Sequence, residues 1–385
     1  MVRTRECSLT RLSRGYGLKI VYLSASNIPS RTANSVQVMK MCAAFARNGH
    51  RTVLVCRHYG QPDVGDVYEY YGVGGDFAIV SVRSVTTKGA GILALPRVRR
   101  VLRQYDAEDH LVYARDIYGA TLAARMGYRV VYESHGLPYN RLIGHLERSL
   151  FRSPGFLKLV VISNALGDLY AARFKMPRTF AVCHDAADVP SSFGDGDYTW
   201  PCNRNGLQIG YVGHLYEGRG IDIILECARR LPEHDFHIVG GTERDVDAWR
   251  KQGPANVYFH GYVSPRQTSV VRSKCDVLLM PYQAKLHIAG RKLSTSSWMS
   301  PLKLFEYMSS GKAIIASALP VIREVLNGDN SILVPPDDVE TWVDALRQCE
   351  SPACRLRLGA NAYNCFLAKY TWDRRVDEVL RGVAL

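Results

Sequence analysis

The chain reads as an α/β protein made of two Rossmann-like halves, and three observations predict this. Lys19-Ile-Val-Tyr-Leu-Ser24 is a short apolar run suited to a buried strand; an amphipathic stretch follows, and then a second apolar run at 52–56. That is a βαβ opening, the start of a doubly wound sheet. Residues 191–206 then break the pattern with Gly194, Gly196, Pro201 and Gly206 among polar neighbours, and the same rhythm restarts at Leu207. Finally, 385 residues are enough to build two full cores. The expected division is a basic tail over 1–17, a first domain over 18–190, a linker over 191–206, a second domain over 207–370 and a last helix over 371–385.

In the first half, residues 33–48 place apolar side chains at 36, 38, 39, 42, 45 and 46, one face of a helix that Gly49-His50 ends. Further strands are expected at 79–82, 111–114, 130–133 and 159–162, with helices between them. In the second half, apolar runs predict strands at 207–212, 236–239, 257–260, 277–280 and 313–316. No internal repeat is evident.

Apolar residues make up 47% of the chain and charged residues 22%, as in globular proteins. No apolar run approaches the roughly 20 residues of a membrane span. Residues 1–17 carry Arg3, Arg5, Arg11 and Arg14 without an apolar segment, so they read as a basic tail rather than a secretory signal, a mitochondrial presequence being the alternative. The ten cysteines are scattered and form no Cys-x-x-Cys pair. This points to reduced thiols in a cytoplasmic protein, with neither a disulfide frame nor a zinc site.

The net charge of +13 is uneven: residues 1–190 hold 26 Lys and Arg against 14 Asp and Glu, and the remainder 23 against 22. Such a field attracts nucleic acid, anionic lipid or an anionic small molecule, and the lack of any nucleic-acid-binding motif argues against the first. Within this half, Arg148, Arg152 and Lys158 interleave with Leu146, Leu150, Phe151, Phe156 and Leu157, and Arg97, Arg99, Arg100 and Arg103 form a second basic cluster. Both suit an anionic membrane surface, and both suit equally a solvated helix face over a core. A peripheral place on the inner face of the membrane is therefore an expectation.

Residues 300–317 read Ser-Pro-Leu-Lys-Leu-Phe-Glu-Tyr-Met-Ser-Ser-Gly-Lys-Ala-Ile-Ile-Ala-Ser. Ser300 is expected as N-cap and Pro301 at the first helical position, with Gly311 as the stop. The free N–H groups and positive dipole end of such a start suit a phosphate. Lys303 has the wrong sign for the first turn, which is easier to understand if an anion sits there. Glu306, four residues after Leu302, can accept both hydrogen bonds of a ribose cis-diol. An ordinary capped helix explains the segment equally well.

This segment resembles the donor-binding element of the retaining family-4 glycosyltransferases of the bacterial polysaccharide and glycolipid type, which have the GT-B fold. The resemblance runs from about Lys19 to Trp372. It takes in Ala33-Asn-Ser-Val-Gln-Val-Met-Lys40, Gly49-His50, Tyr132-Glu-Ser-His-Gly136, Gly210-Tyr-Val-Gly213, Arg219-Gly220 and Phe259-His-Gly-Tyr-Val263. It implies two Rossmann-like domains facing across a cleft, with the last helix crossing back to the first.

The resemblance also assigns residues. His135 lies where relatives position the reacting sugar, and Arg115 faces the same cleft unless it pairs with Asp116 or Glu133. Asn34 stands where relatives often have a Gly-Gly pair, and is expected to cap its helix and present N–H groups. Gly213 to Gly220 resembles the phosphate loop, with His214 and Arg219 at places where relatives have arginine and lysine. Arg219 brings a fork suited to a diphosphate, and His214 an imidazole partly protonated near neutral pH. Tyr262 and Val263 fall where relatives hold the base. Ser300, Leu302, Lys303 and Glu306 complete the nucleotide side. The main departure is Trp298, where many relatives have a glutamate that contacts the donor sugar, after a polar stretch at 290–297. Asp195 with Asp197, and Asp245 with Asp247, have the spacing of a metal-holding pair, but the first falls in the linker and the second at a helix start.

The resemblance thus implies a metal-independent, retaining hexosyltransferase. It would move a sugar from a UDP- or GDP-sugar to a hydroxyl of a glycan or lipid-linked acceptor, in polysaccharide, lipopolysaccharide or glycolipid assembly. His135, Arg219, Lys303 and Glu306 would carry the reaction, with no cofactor, no metal and no nucleic-acid partner. Two other readings stay open: a different GT-B chemistry such as sugar-nucleotide epimerisation, and a non-catalytic nucleotide-sugar binding or scaffold protein, which Trp298 makes plausible.

Overall fold

A computed structural model describes residues 17–58, 65–83, 90–174, 177, 179–190, 200–202, 206–265, 267–284 and 295–383. Nearly all of the expected basic tail, most of the expected linker with Asp195 and Asp197, and most of the 290–297 stretch lie outside these residues.

Among the described residues the chain forms two all-parallel sheets. The first contains β1 (Lys19–Asn27), β2 (Arg51–His58), β3 (Ala78–Arg83), β4 (His110–Ala114), β5 (Arg129–Ser134), β6 (Phe156–Val161) and β7 (Phe180–Val182), in the order β3-β2-β1-β4-β5-β6-β7. The second contains β8 (Gln208–Val212), β9 (Asp235–Val239), β10 (Val257–Gly261), β11 (Val277–Met280), β12 (Ala313–Ser317) and β13 (Ile332–Val334), in the order β10-β9-β8-β11-β12-β13. Central strands such as β4 and β12 are apolar almost throughout because helices cover both faces of a parallel sheet. The edge strands β7 and β13 have three residues each, too few for periodicity to mark them in the sequence.

In the first domain the helices Ala90–Leu102, Ile117–Arg125 and Arg141–Phe151 contribute to the core on one face of the sheet. Ala33–Arg47 covers the other face together with the chain's last helix, Trp372–Leu380. Trp372, Val376 and Val379 share a core there with Tyr22, Phe45 and Tyr113, and Arg47 bonds Asp373 at 2.9 Å. The last helix thus belongs to the first domain by packing.

Lys158 departs from its expected place on a membrane-facing surface. It is buried, and its ammonium donates to the carbonyls of Val379 at 3.1 Å and Arg381 at 2.6 Å. A lysine at a helix C-terminus satisfies orphan carbonyls and suits the negative dipole end. Leu150 is buried too, and Leu146, Phe151, Phe156 and Leu157 pack against the first domain's cores.

Candidate active site

Ligands of open α/β sheets bind beyond the carboxyl ends of strands, where the strand order reverses. Those points follow β1 and β4 in the first sheet and β8 and β11 in the second. Contacts join the two domains around them. The Tyr70 and Tyr262 hydroxyls meet at 2.5 Å, and the Arg31 guanidinium lies over the Tyr262 ring at 4.2 Å. The Ser163 hydroxyl donates to the Trp298 carbonyl at 2.8 Å, and the Asp185 N–H donates to the Ser300 hydroxyl at 2.8 Å.

On the second domain's side, β8 runs into Gly213, where a Cβ would lie 2.6 Å from the Lys303 ammonium. Only glycine lets that side chain cross the loop so closely. The ammonium sits 3.5 Å from the centroid of the Tyr211 ring and 5.2 Å from that of Tyr282, which also lies 4.8 Å from the Arg219 guanidinium carbon. Aromatic faces attract these cations. Yet Lys303 Nζ and Arg219 Nε are buried with no hydrogen-bond partner. Burial first, and then Arg219, hold Lys303 well below the usual lysine range, against the pull of Glu306. Glu306 lies 3.7 Å from a guanidinium nitrogen of the buried Arg272.

The helix that carries Lys303 and Glu306 corrects one expectation. It spans Leu302–Ser309 with Pro301, not Ser300, at the N-cap position and no side-chain cap. The Ser300 hydroxyl is already taken by the Asp185 N–H across the domain boundary. The Leu302 and Lys303 N–H groups therefore start a helix without an intrahelical acceptor. His214 is a second correction: burial, and then Arg219 and Lys303, push its pKa down to about 4, so it is neutral near pH 7. It stacks on Tyr216 with centroids 4.8 Å apart. Tyr262 points to Tyr70 and Arg31 of the first domain, and Val263 packs partly buried against the core around Phe305.

On the first domain's side, Asn34 is the second residue of its helix and Thr32 holds the N-cap position, so Asn34 does not cap it. Arg115 pairs with neither Asp116 nor Glu133. It donates to the Gln37 side-chain oxygen at 2.5 Å and to the Asn34 carbonyl at 3.4 Å. Gln37 in turn donates to Glu133 at 2.9 Å.

Glu133 is the centre of this side. It is fully buried and accepts from Gln37, from the Tyr113 hydroxyl, from His135 Nε2 and, at 3.0 Å, from Arg375 on the last helix. Arg375 also donates to the carbonyls of His184 at 2.9 Å and Cys183 at 3.3 Å. Burial opposes the Glu133 charge, but Arg375 and His135 outweigh it and hold the carboxyl well below its ordinary range. Burial, and then Arg115, pull His135 below the ordinary histidine value, while Glu133 works the other way. The imidazole donates through Nε2 to a carboxylate, which leaves Nδ1 as its acceptor.

Sequence reasoning passed over Arg375, Tyr282, Tyr211, Arg272 and Asp185. Tyr282 had a usable signal, since it follows the end of β11 at a switch point, and Tyr211 sits inside the quoted Gly210–Gly213 motif. Arg375 had none, because its partner is 242 residues away. Trp298 lies beside His135: its indole N–H is buried without a partner, 3.2 Å from where a Gly136 Cβ would stand.

Asp245 and Asp247 serve locally. The Asp245 carboxylate accepts from Thr242 in a capping box, and Asp247 meets Arg250 at 3.3 Å. Among the described residues, Glu233, His234 and Glu350 bring potential metal ligands together. There His234 Nδ1 accepts the Leu207 N–H at 3.3 Å and Nε2 faces Glu350, so a neutral ring has no lone pair left for an ion.

Comparison with known proteins agrees with this architecture. The family profile "Glycosyltransferase Family 4" matches residues 35–189, and "Glycosyl transferases group 1" matches residues 206–351. An uncharacterized glycosyltransferase of Methanocaldococcus jannaschii is 24% identical over 62% of this chain and 60% of its own. A phosphatidyl-myo-inositol mannosyltransferase of Mycolicibacterium smegmatis is 29% identical over 47% of this chain and 46% of its own. The chain thus spans under two thirds of the length of these curated relatives. The structure of HepE from Anabaena, solved with UDP and glucose, superposes with a TM-score of 0.70 at 14% identity, over 95% of this chain and all of the other. Two glycosyltransferase profiles in sequence order, one on each Rossmann-like domain, place this chain in glycosyltransferase family 4, with the GT-B fold.

Proposed function

We propose that this protein is a retaining, metal-independent hexosyltransferase that uses a nucleoside diphosphate sugar. The observation that carries the reading is the pair Lys303 and Arg219: a buried ammonium and a half-buried guanidinium over tyrosine rings, with Lys303 Nζ and Arg219 Nε unpartnered, beside an uncapped helix start. Two like charges drawn together away from water are costly unless an anion joins them, and a diphosphate carries the charge to offset both. The same cations would stabilise the charge that grows on the departing diphosphate, which is the part a divalent metal plays in other transferases. The bond from the anomeric carbon to the diphosphate breaks as the bond to the acceptor oxygen forms. The acceptor proton passes to the departing phosphate oxygen on the same face, which keeps the configuration. HepE was solved with UDP and glucose, which supports a nucleotide-sugar donor here.

The acceptor we infer is lipid-linked, in glycan or glycolipid assembly. Ile92, Leu93, Tyr139 and Leu142 are exposed on or beside the helices Ala90–Leu102 and Arg141–Phe151. Arg99, Arg100 and Arg103 line a nearby cavity of about 430 Å³ with Leu95, Pro96 and Leu122. An apolar rim backed by arginines suits an anionic bilayer surface. No helix among the described residues is long and apolar enough to cross a membrane.

The test is hydrolysis and transfer of UDP- and GDP-sugars by Glu306→Ala and Arg219→Ala variants, with and without chelator. The reading expects chelator-insensitive turnover that both variants lower, and a product with the donor's anomeric configuration. Unchanged kinetics in both would sink it, and nucleotide-sugar binding without turnover by the wild type would leave a binding protein. Flotation with vesicles of increasing anionic lipid tests the membrane surface, and binding indifferent to lipid charge counts against it.

A further inference from the structure

Asp185 is a charged group at the domain boundary with no part in the proposed reaction so far. It follows the carboxyl end of β7, and its side chain is 5% exposed. Its main-chain N–H is bonded to Ser300, two residues before the helix at Lys303. Its carboxylate lies within electrostatic reach of His135, Arg375, Arg115 and Glu133. Yet Asp185 Oδ1 is buried with no hydrogen-bond partner.

The hydrogen bonds of the donors around it run to other acceptors. Arg375 gives its hydrogens to Glu133 and to the carbonyls of Cys183 and His184. His135 Nε2 is bonded to Glu133, and Arg115 to Gln37 and Asn34. The charges are close to balance, with two carboxylates against two guanidinium groups and a histidine held toward its neutral form. The site therefore has no call for another cation; it lacks a neutral hydrogen-bond donor. A buried carboxylate oxygen left without one costs more than most single contacts in a fold contribute. Next to Gly136, the Trp298 indole offers a buried N–H with no acceptor. One open acceptor and one open donor beside His135 are what a sugar's hydroxyls would fill.

We propose that Asp185 accepts a hydrogen bond from a hydroxyl of the donor sugar and so helps to determine which sugar is used. This rests on the nucleotide-sugar reading. A diphosphate held at Lys303 and Arg219 carries its sugar toward His135, past the segment where Ser300 ties Asp185 to the start of the nucleotide helix. Asp185 then discriminates by the presence of one hydroxyl, because a sugar lacking it leaves the carboxylate oxygen unpaired. Burial raises the Asp185 pKa against the pull of His135, so a sugar hydroxyl would also favour its ionised form.

The experiment titrates UDP, UDP-glucose, GDP and GDP-mannose into the wild type and into Asp185→Asn and Asp185→Ala. The expected result is an unchanged affinity for the free nucleotide and a loss of about ten- to a hundredfold for the nucleotide sugar, the range of a hydrogen bond to a charged group. Retained nucleotide affinity also reports that the variants fold. Equal losses for nucleotide and nucleotide sugar, or a change confined to the acceptor KM, would overturn the proposal. As a second arm independent of any variant, single-deoxy forms of the bound nucleotide sugar are titrated into the wild type. One of them should bind at least tenfold more weakly, and that deficit should vanish in Asp185→Ala; a wild type indifferent to every deoxygenation overturns the assignment. A wild type that binds no nucleotide and no nucleotide sugar overturns the nucleotide-sugar reading along with it.

Discussion

The first domain buries charge around Glu133, and the second buries it around Lys303, in opposite ways. Glu133 has Arg375, His135, Gln37 and the Tyr113 hydroxyl bonded to it, so its carboxylate is satisfied by donors the fold supplies. Lys303 and Arg219 have tyrosine rings around them, with Lys303 Nζ and Arg219 Nε open and, among the described residues, no carboxylate in hydrogen-bonding contact. A buried polar network with all partners present stabilises a unique packing, whereas unpaired buried charge of one sign costs stability. The first arrangement is scaffold that fixes His135 and anchors the last helix. The second, on the function proposed above, takes its missing partner from solution.

The largest expected effect tests the scaffold side. Glu133→Ala leaves Arg375 buried and unpaired, and should cost about 3–5 kcal/mol in denaturant unfolding. A loss below about 1 kcal/mol would show the network to be incidental. Its effect on nucleotide affinity should be small, since the proposed diphosphate site lies in the other domain.

Next in size is the mirror experiment. Lys303→Met should lower UDP or GDP affinity by about 30- to 100-fold, the range of a charge-assisted hydrogen bond, while the free protein becomes more stable by about 1–2 kcal/mol. The fold holds the Lys303 pKa well below its unfolded value of about 10.5, so above the folded pKa the unfolded chain binds more protons. Stability of the wild type should therefore rise with pH in that window, and this rise should be absent in Lys303→Met. Diphosphate binding should raise the Lys303 pKa again, so nucleotide affinity should fall as pH rises above the pKa of the free fold. A variant that is both less stable and unimpaired in binding would reverse the comparison.

His214 gives a smaller effect of known sign. Its pKa is about 4 in the fold and about 6.5 unfolded, so the unfolded state binds the extra proton between those values. Its contribution to stability is present above pH 6.5 and is lost as pH falls toward 4. For a partly exposed group this amounts to about 1–2 kcal/mol, and it should be missing from the unfolding profile of His214→Gln. The smallest effect is at the boundary between the domains. Tyr262→Phe removes one hydroxyl contact with Tyr70 and should cost about 0.5–1.5 kcal/mol, with faster nucleotide release in stopped-flow if that contact restrains opening.

Much of this was legible in the sequence. Apolar runs of four to six residues, separated by helical periodicity, located the central strands because a parallel sheet covered on both faces demands them. The three-residue edge strands escaped because two alternations carry no period. In the site, glycines were readable from Gly213 to Gly220 because close backbone approach admits no other residue. The details failed where a side chain had a competing partner far along the chain. Ser300 has the chemistry of an N-cap, but its hydroxyl is drawn to Asp185, 115 residues away. Lys158 looked like a surface charge and instead closes a helix over 200 residues downstream.

The sequence by itself determined the two doubly wound halves, their central strands and the family, because these follow from local periodicity and short motifs that read the same in any context. Only the tertiary structure decided which polar groups are paired. It gave Glu133 its ring of partners, left Lys303, Arg219, Asp185 and Trp298 with open hydrogen-bonding atoms, and pushed His214 to the neutral form. Pairing and desolvation depend on distances between residues remote in the chain, and residue order alone does not contain those distances.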